Sequence, residues 1–450
     1  MKVLMLSTDR KVFEAGSAVR RRLLEYGNLF EELHVVVLCR RGGGLRREKI
    51  SENVWLHPTA SRFRLLAPVA AVLVGRRLKR HFARSEGSDE EGTLNYETPR
   101  GTFREGDLRR DWRRNFRIFL ARKIRTLREM CREKEFRNPQ KDRIVVSSQD
   151  PFETGLAGWL LTKILRAKLQ LQIHTDFLSP YFCQANFLNR FRVTLASFLL
   201  PRADGIRAVS DRIKQSLLKD RRFSRTTASA GLGTLKAHLI TILPIFVDAK
   251  QIVDWKPSFS IRDKLPAVRF HILMVSRLTP EKNIGFAIEV LAEVMKKYPL
   301  TGLVIVGEGS ERQNLALRAR ELNVDQNVRF LPWTTDVISA MKTANLFLLT
   351  SNYEGYGMTL IEAGLSGVPM VTSDVGVARN LLKDSLHALI CPVGDKNCFA
   401  RSIARLIENN ELRENLRSKA RSHLEGVLPS KKKYLANFRR SFERCFDNEI

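Results

Sequence analysis

The sequence predicts an α/β fold of two doubly wound parallel-sheet domains, and three observations carry that prediction. Short apolar runs recur along the chain with helical patterns between them, the mark of repeated βαβ units. The runs fall into two series, separated by Asp248–Pro266 with its prolines Pro257 and Pro266. The chain has 450 residues, 44% of them hydrophobic, which is enough to bury more than one core.

The first series begins with the strand Val3–Ser7, the helix Ser17–Phe30 and the strand His34–Leu38, and continues with the strands Ile144–Ser147, Leu169–His174 and Gly205–Val209. The second contains the strands Phe270–Val275, Leu303–Val306, Val328–Leu331, Leu346–Leu349, Pro369–Thr372 and Leu389–Cys391, with helical spacing over Gly285–Lys297 and Arg312–Leu322. These runs are almost wholly apolar, as strands covered on both faces must be. The expected organisation is a first domain over 1–248, a linker over 249–265, a second domain over 266–428, and a basic amphipathic helix within 429–450 that packs back on the first domain.

Two stretches interrupt the first domain. Ser85–Asp107 is rich in Glu, Asp, Gly, Ser and Thr, so a mobile insertion is expected at about 85–108. Residues 221–235 have a similar composition. Between them Trp112, Phe116, Phe119, Leu120, Ile124 and Leu127 recur at helical spacing among arginines. That pattern fits a helix lying on an anionic bilayer and equally an ordinary surface helix.

The net charge is +29, of which residues 1–250 carry +23 and residues 251–450 only +6. An excess of this size calls for an anionic partner. It is unaccompanied by a nucleic-acid motif, so no nucleic-acid partner is expected. The six cysteines are widely spaced without a C-x-x-C pair and read as reduced core thiols. The longest apolar stretch, Leu65–Val74, is too short to span a bilayer and contains Pro68. A cytoplasmic protein is expected, with peripheral attachment to the cytoplasmic membrane face open.

The chemistry concentrates in the second domain. Ser351–Gly364 connects a strand to a helix that must begin just after Gly357. Gly355 and Gly357 let the backbone come close to a ligand, and the N–H groups of Gly357, Met358 and Thr359 suit a diphosphate. Glu354 lies on the loop and Glu362 one turn into the helix. Two carboxylates can form a glycosidase acid/base pair, but here they flank an anion cradle, where they are better used on sugar and ribose hydroxyls. Ser276–Asn283, after the strand Phe270–Val275, adds the cations Arg277 and Lys282 at the carboxyl end of a strand, where ligands bind in open α/β sheets.

Arg277 with Lys282, then Glu354 and Glu362 in an E-x7-E arrangement, then Gly364, Gly367 and Pro369, resemble the family-4 glycosyltransferases of bacterial type. The resemblance covers nearly the whole chain and is strongest from Phe270 to Leu406. It implies the GT-B architecture, two Rossmann-like domains facing across a cleft, and transfer of a hexose from a nucleoside diphosphate sugar with retention of configuration. No metal or other cofactor is implied, the nucleotide sugar being a substrate, and the sequence holds no D-x-D. Arg277 and Lys282 would hold the diphosphate and Gly355–Thr359 cradle it, with Glu354 contacting the sugar and Glu362 the ribose. In the first domain the resemblance implies Gly16 as a donor-side glycine and His174 as a residue near the sugar, and it leaves Asp150 and Asp176 open. The loop Gly376-Val377-Ala378-Arg379 departs from the family's Gly-Gly-Glu pattern, and Gly307-Glu308-Gly309 reads as a structural turn. The expected acceptor is a glycan or a lipid-linked glycan, with an anionic membrane surface as a further partner. The alternatives are an epimerase or phosphorylase-like enzyme of the same fold, and a basic nucleic-acid-binding protein.

Overall fold

The computed structural model describes residues 1–40, 44–61, 67–84, 143–224 and 235–449. The insertion expected at 85–108, the Trp112–Leu127 segment and most of 221–235 lie outside them. Eight strands are assigned before residue 243: β1 Lys2–Ser7, β2 Glu32–Val37, β3 Glu48–Ser51, β4 Val54–Pro58, β5 Ile144–Ser148, β6 Lys168–Ile173, β7 Gly205–Ala208 and β8 Ile240–Ile242. Six follow: β9 Phe270–Val275, β10 Thr301–Val306, β11 Val328–Leu331, β12 Leu346–Leu349, β13 Met370–Ser373 and β14 Leu389–Cys391.

The chain divides into two compact units, one of Met1–Gln149 with Glu153–Gln170 and the other of Asp150–Phe152 with Leu171–Ile450. The boundary falls inside β6, well before the linker expected at 249–265, although the strands do change sheet between Ile242 and Phe270. The contacts described below tie the ends of β6 and β7 to the second sheet, and these explain the shift.

The first unit has the strand order β3-β4-β2-β1-β5-β6. All six residues of β1 are buried, and it runs parallel to β2 and β5, with Leu4 opposite His34 and Val146. The pair β3–β4 is antiparallel, with an irregularity between Lys49 and Ser51. Ser17 caps the helix Ala18–Gly27 by accepting from the Arg20 N–H at 3.1 Å. From Ala67 on, the apolar stretch forms the start of the helix Ala67–Arg84, whose later turns carry Arg76, Arg77 and Lys79. Among the described residues no helix is long and apolar enough to cross a membrane.

The second unit holds β7 and β8, parallel to each other, and the sheet β11-β10-β9-β12-β13-β14, parallel throughout. Its central strands are completely buried, and Ile272, Met274, Leu303, Ile305 and Leu348 form a core with Ile288, Leu291 and Phe399 from the helices Ile284–Met295 and Lys396–Glu408. Each such side chain contributes about 1.5–3 kcal/mol by leaving water. The helix Lys431–Glu443 buries Tyr434, Phe438 and Phe442 and packs against β7. Its three aromatics, four residues apart, form the stripe that the sheet covers.

One expectation about the cysteines is overturned. Cys391 and Cys398 are joined in a disulfide with their Cα atoms 5.7 Å apart. The turn after β14, in which Asp395 caps the next helix by accepting from the Cys398 N–H at 2.9 Å, folds the chain back and closes a separation that looked wide in sequence. Cys39, Cys183 and Cys445 are free thiols.

Candidate active site

The loops that follow β9 and β12 are laced together. Thr350 Oγ1 donates to the carbonyls of Lys282 and Asn283, each at 3.1 Å. Asn283 Nδ2 donates to Asn352 Oδ1 at 3.1 Å, and the Asn352 N–H to the Glu281 carbonyl at 2.9 Å. Asn283 takes a left-handed conformation, φ 49°, which closes the short turn Pro280–Lys282.

This lacing brings Lys282 to Glu354. The Nζ donates to Oε1 at 2.6 Å, Ser351 Oγ donates to the same oxygen at 2.8 Å, and both charged side chains are 14% exposed. Arg277 stands differently: its side chain is 72% exposed and donates to Glu281 Oε1 at 3.0 Å. Of the two cations expected at a diphosphate, Lys282 is held at the carboxylate and Arg277 lies at the rim.

The helix Met358–Ser366 starts at Gly357, whose φ of 86° favours glycine, and no side chain caps it. Its first-turn N–H groups, those of Met358 and Thr359 among them, are therefore left for an anion, on the positive end of the helix dipole. Gly355 is required by close approach, because a Cβ there would collide with the carbonyl oxygen of His174. The same junction is pinned by Ser210, whose Oγ donates to the Gly355 carbonyl at 2.9 Å while accepting from the Ile213 N–H at 3.4 Å as a helix cap.

Glu362 lies one turn into that helix with no hydrogen-bond or ion-pair partner among the described residues. Burial alone pushes its carboxyl up to about 7. Behind Glu354 stands the loop after β13. The Val377 N–H donates to the Tyr356 carbonyl at 2.9 Å, Gly376 crowds Glu354 and Tyr356, and Arg379 Nε is spent on Asp374 at 2.8 Å. Gly307–Gly309 supports the Arg277 loop, since the Leu278 N–H donates to the Glu308 carbonyl at 2.8 Å and a Cβ on either glycine would strike backbone.

His174 directly follows β6, with its Nε2 at 3.0 Å from Gln172 Oε1. Burial raises the carboxyl of nearby Asp176, against the opposing pull of Arg212 and of the Leu178 and Ser179 N–H groups. Asp150 Oδ1 accepts from the Phe152 N–H at 2.8 Å and shapes a turn. Gly16 belongs to the first unit, where its φ of 79° leads into the helix capped by Ser17.

Several residues here carry no sequence signal of their own. Arg212 pairs with Asp374 and donates from Nε to the Gly376 carbonyl at 3.2 Å and from Nη2 to the Ala378 carbonyl at 3.0 Å. A single arginine at a helix start has no spacing that would single it out. Arg207 does leave a trace, as a charged residue inside the short strand β7, all of which is buried.

Fold and site together define a two-sheet α/β protein with an uncapped helix start beside a lysine–glutamate pair at the carboxyl ends of its second sheet. Residues 259–423 match the family model of glycosyl transferases group 1. The chain is 28% identical over 155 residues to the lipopolysaccharide core biosynthesis glycosyltransferase LpsE of Rhizobium meliloti, covering 34% of this chain and 44% of that one. It is 24% identical over 189 residues to the UDP-Gal:alpha-D-GlcNAc-diphosphoundecaprenol alpha-1,3-galactosyltransferase of Escherichia coli, covering 40% and 49%. The matches span less than half the length of these curated relatives. In fold the chain is similar to HepE of Anabaena, solved in complex with UDP, with a TM-score of 0.63 at 17% identity over 100% of both chains. The two parallel α/β sheets that the resemblance implies are observed, and the fold is shared with that glycosyltransferase structure.

Proposed function

We propose that this chain transfers a sugar from a nucleoside diphosphate sugar to a glycan or lipid-linked glycan acceptor, with retention of configuration and without a divalent cation. The observation that carries the reading is the Lys282–Glu354 contact, built beside an uncapped helix start by two laced loops. In the reaction the acceptor hydroxyl oxygen bonds to the anomeric carbon as the bond from that carbon to the diphosphate breaks. The electron pair goes to the leaving phosphate oxygen, and the hydroxyl proton follows to the same phosphate on the same face of the sugar. Lys282, the N–H groups of Gly357–Thr359 and, from the rim, Arg277 stabilise the charge that develops on that phosphate. Glu354 and Glu362 accept hydrogen bonds from the sugar and ribose.

The relatives' printed roles, lipopolysaccharide core biosynthesis and galactosyl transfer to a diphosphoundecaprenol-linked sugar, support a lipid-linked acceptor. The +23 carried by residues 1–250 supports an anionic acceptor or membrane face. A thermal-shift panel of nucleoside diphosphates and their sugars tests the donor, since a bound donor raises the melting temperature. Product analysis with and without acceptor separates transfer from epimerisation. A panel with no shift, together with unchanged turnover in Lys282→Ala, contradicts the assignment.

A further inference from the structure

We propose that the helices Pro180–Ala185 and Phe187–Leu199 form a surface that docks on an anionic lipid bilayer. Phe187, Leu188 and Phe191 enter the boundary between headgroups and acyl chains, and the arginines of the segment meet the lipid phosphates. The docking surface stands without the transfer reading above; only its bearing on the acceptor rests on that reading.

The longer helix is built inside out. Its buried side carries Asn189, Val193, Ala196 and Leu199, while Phe187, Leu188 and Phe191 are 66%, 47% and 46% exposed. Tyr181, on the short helix before it, is 42% exposed. Elsewhere among the described residues the exposed large apolar side chains stand apart in the sequence, as is ordinary for a globular surface. A helix packed for stability alone turns its largest apolar groups inward. Here hydrogen bonds fix the opposite orientation. Asn186 caps the longer helix by accepting from the Asn189 N–H at 2.8 Å, and buried Asn189 donates from Nδ2 to the Phe182 carbonyl at 2.9 Å. The two helices are locked together, and the outward rings are a fixed feature of the surface.

Charge selects the occupant. Between Asp176 and Asp204 the chain has three arginines, Arg190, Arg192 and Arg202, and no acidic residue. Arg190 is exposed beside Phe191, and Arg202 lies over the Phe198 ring, 3.9 Å from its centroid. Protruding apolar groups set among cations suit a surface that offers acyl chains and phosphates together. A second copy of the chain suits it poorly, since pairing face to face sets cation against cation. The patch also lies beside the site. Phe182 packs edge-on against Tyr353 of the Ser351–Gly364 loop, with ring centroids 5.8 Å apart. Docking here holds that loop near the bilayer, where a lipid-linked acceptor presents its glycan.

The full chain is tested by flotation with vesicles of phosphatidylcholine, with and without phosphatidylglycerol. The unaltered protein is expected to rise with the vesicles that contain phosphatidylglycerol. Phe187→Ser combined with Phe191→Ser is expected to weaken that binding at least about tenfold, and Arg190→Gln about fivefold, the effect of one basic residue at an anionic surface. These side chains are exposed, so the melting temperature and the affinity for UDP are expected to stay within error of the unaltered protein. Unchanged flotation of the double variant overturns the proposal, because charge elsewhere then holds the membrane. So does an unaltered protein that stays off anionic vesicles at low salt, which leaves the face to a protein partner. Lipid-free self-association that the double variant abolishes overturns it too, as does a large fall in that variant's melting temperature, which marks a face covered within the chain. If the unaltered protein floats yet turns over no nucleotide sugar, the transfer reading fails and the docking surface stands.

Discussion

Glu354 and Glu362 stand in one loop and one helix, and their surroundings are opposite. Glu354 is compensated before any ligand arrives, with Lys282 and Ser351 on one oxygen and the Gly376 loop behind it. Glu362 is half-buried, has no hydrogen-bond or ion-pair partner among the described residues, and its carboxyl is raised to about 7 by burial. The first region is preorganised, and its geometry is rigid because neighbouring loops determine it. The second is unsatisfied, and a ligand with hydroxyls to donate would supply what the fold withholds.

The largest effect expected is at the junction on which the compensated region depends. Gly355→Ala drives a methyl into the His174 carbonyl, so two backbone segments must part. Turnover should fall by more than about 10²-fold and stability by about 1–3 kcal/mol, read by kcat and thermal melting. Near-normal values would mean the junction can open without cost.

Next comes Lys282→Ala, which on the proposed transfer removes charge from the leaving phosphate and should lower kcat about 10²- to 10³-fold. Combined with Glu354→Gln it should fall short of the product of the two single losses, because the residues share one contact. Strictly multiplicative losses would separate them.

Glu362→Gln probes the other region. The carboxyl is raised from 4.5 to about 7, so full stability is present below about 4.5 and is lost as pH rises through about 7. That loss is on the order of 3 kcal/mol at alkaline pH. The glutamine variant should lack it and melt higher than the parent at pH 8. If Glu362 accepts from a ribose, UDP affinity should rise between about pH 5 and 7 more steeply in the parent than in the variant. Identical stability profiles would contradict the unpaired state. The smallest effect is expected for Arg277→Ala, less than about tenfold in either kcat or nucleotide affinity, as suits an exposed cation screened by salt.

Much of the fold was legible because its strands are buried on both faces. Phe270–Val275 and Leu346–Leu349 have the bounds that their apolar runs suggest. Glu48–Ser51 escaped because it is a short, polar, half-exposed edge, and Ile240–Ile242 because Thr241 interrupts it and Ile242 is exposed. In the site, Lys282 and Glu354 were legible through residue type and place at strand ends. The pairing of Arg277 with Glu281 was not, since spacing says nothing about which acid a rim cation meets. Ser210 and Arg212 act through tertiary contacts that no local pattern encodes. Arg207 could have been flagged, because a guanidinium within a buried strand demands partners, and it passed as one residue of an apolar run. The Cys391–Cys398 bridge depended on a turn whose reversal the separation concealed.

The bond from Arg207 to Tyr434 joins residues 227 positions apart. During synthesis the strand emerges long before the helix that completes its surroundings, since domains fold as the chain grows. Until Tyr434 and Phe438 arrive, the guanidinium must rely on water for the partners they later supply. The helix Lys431–Glu443 thus acts as a timing element: chains cut short before it would carry Lys282, Glu354 and Glu362 and still leave Arg207 without its support from that helix.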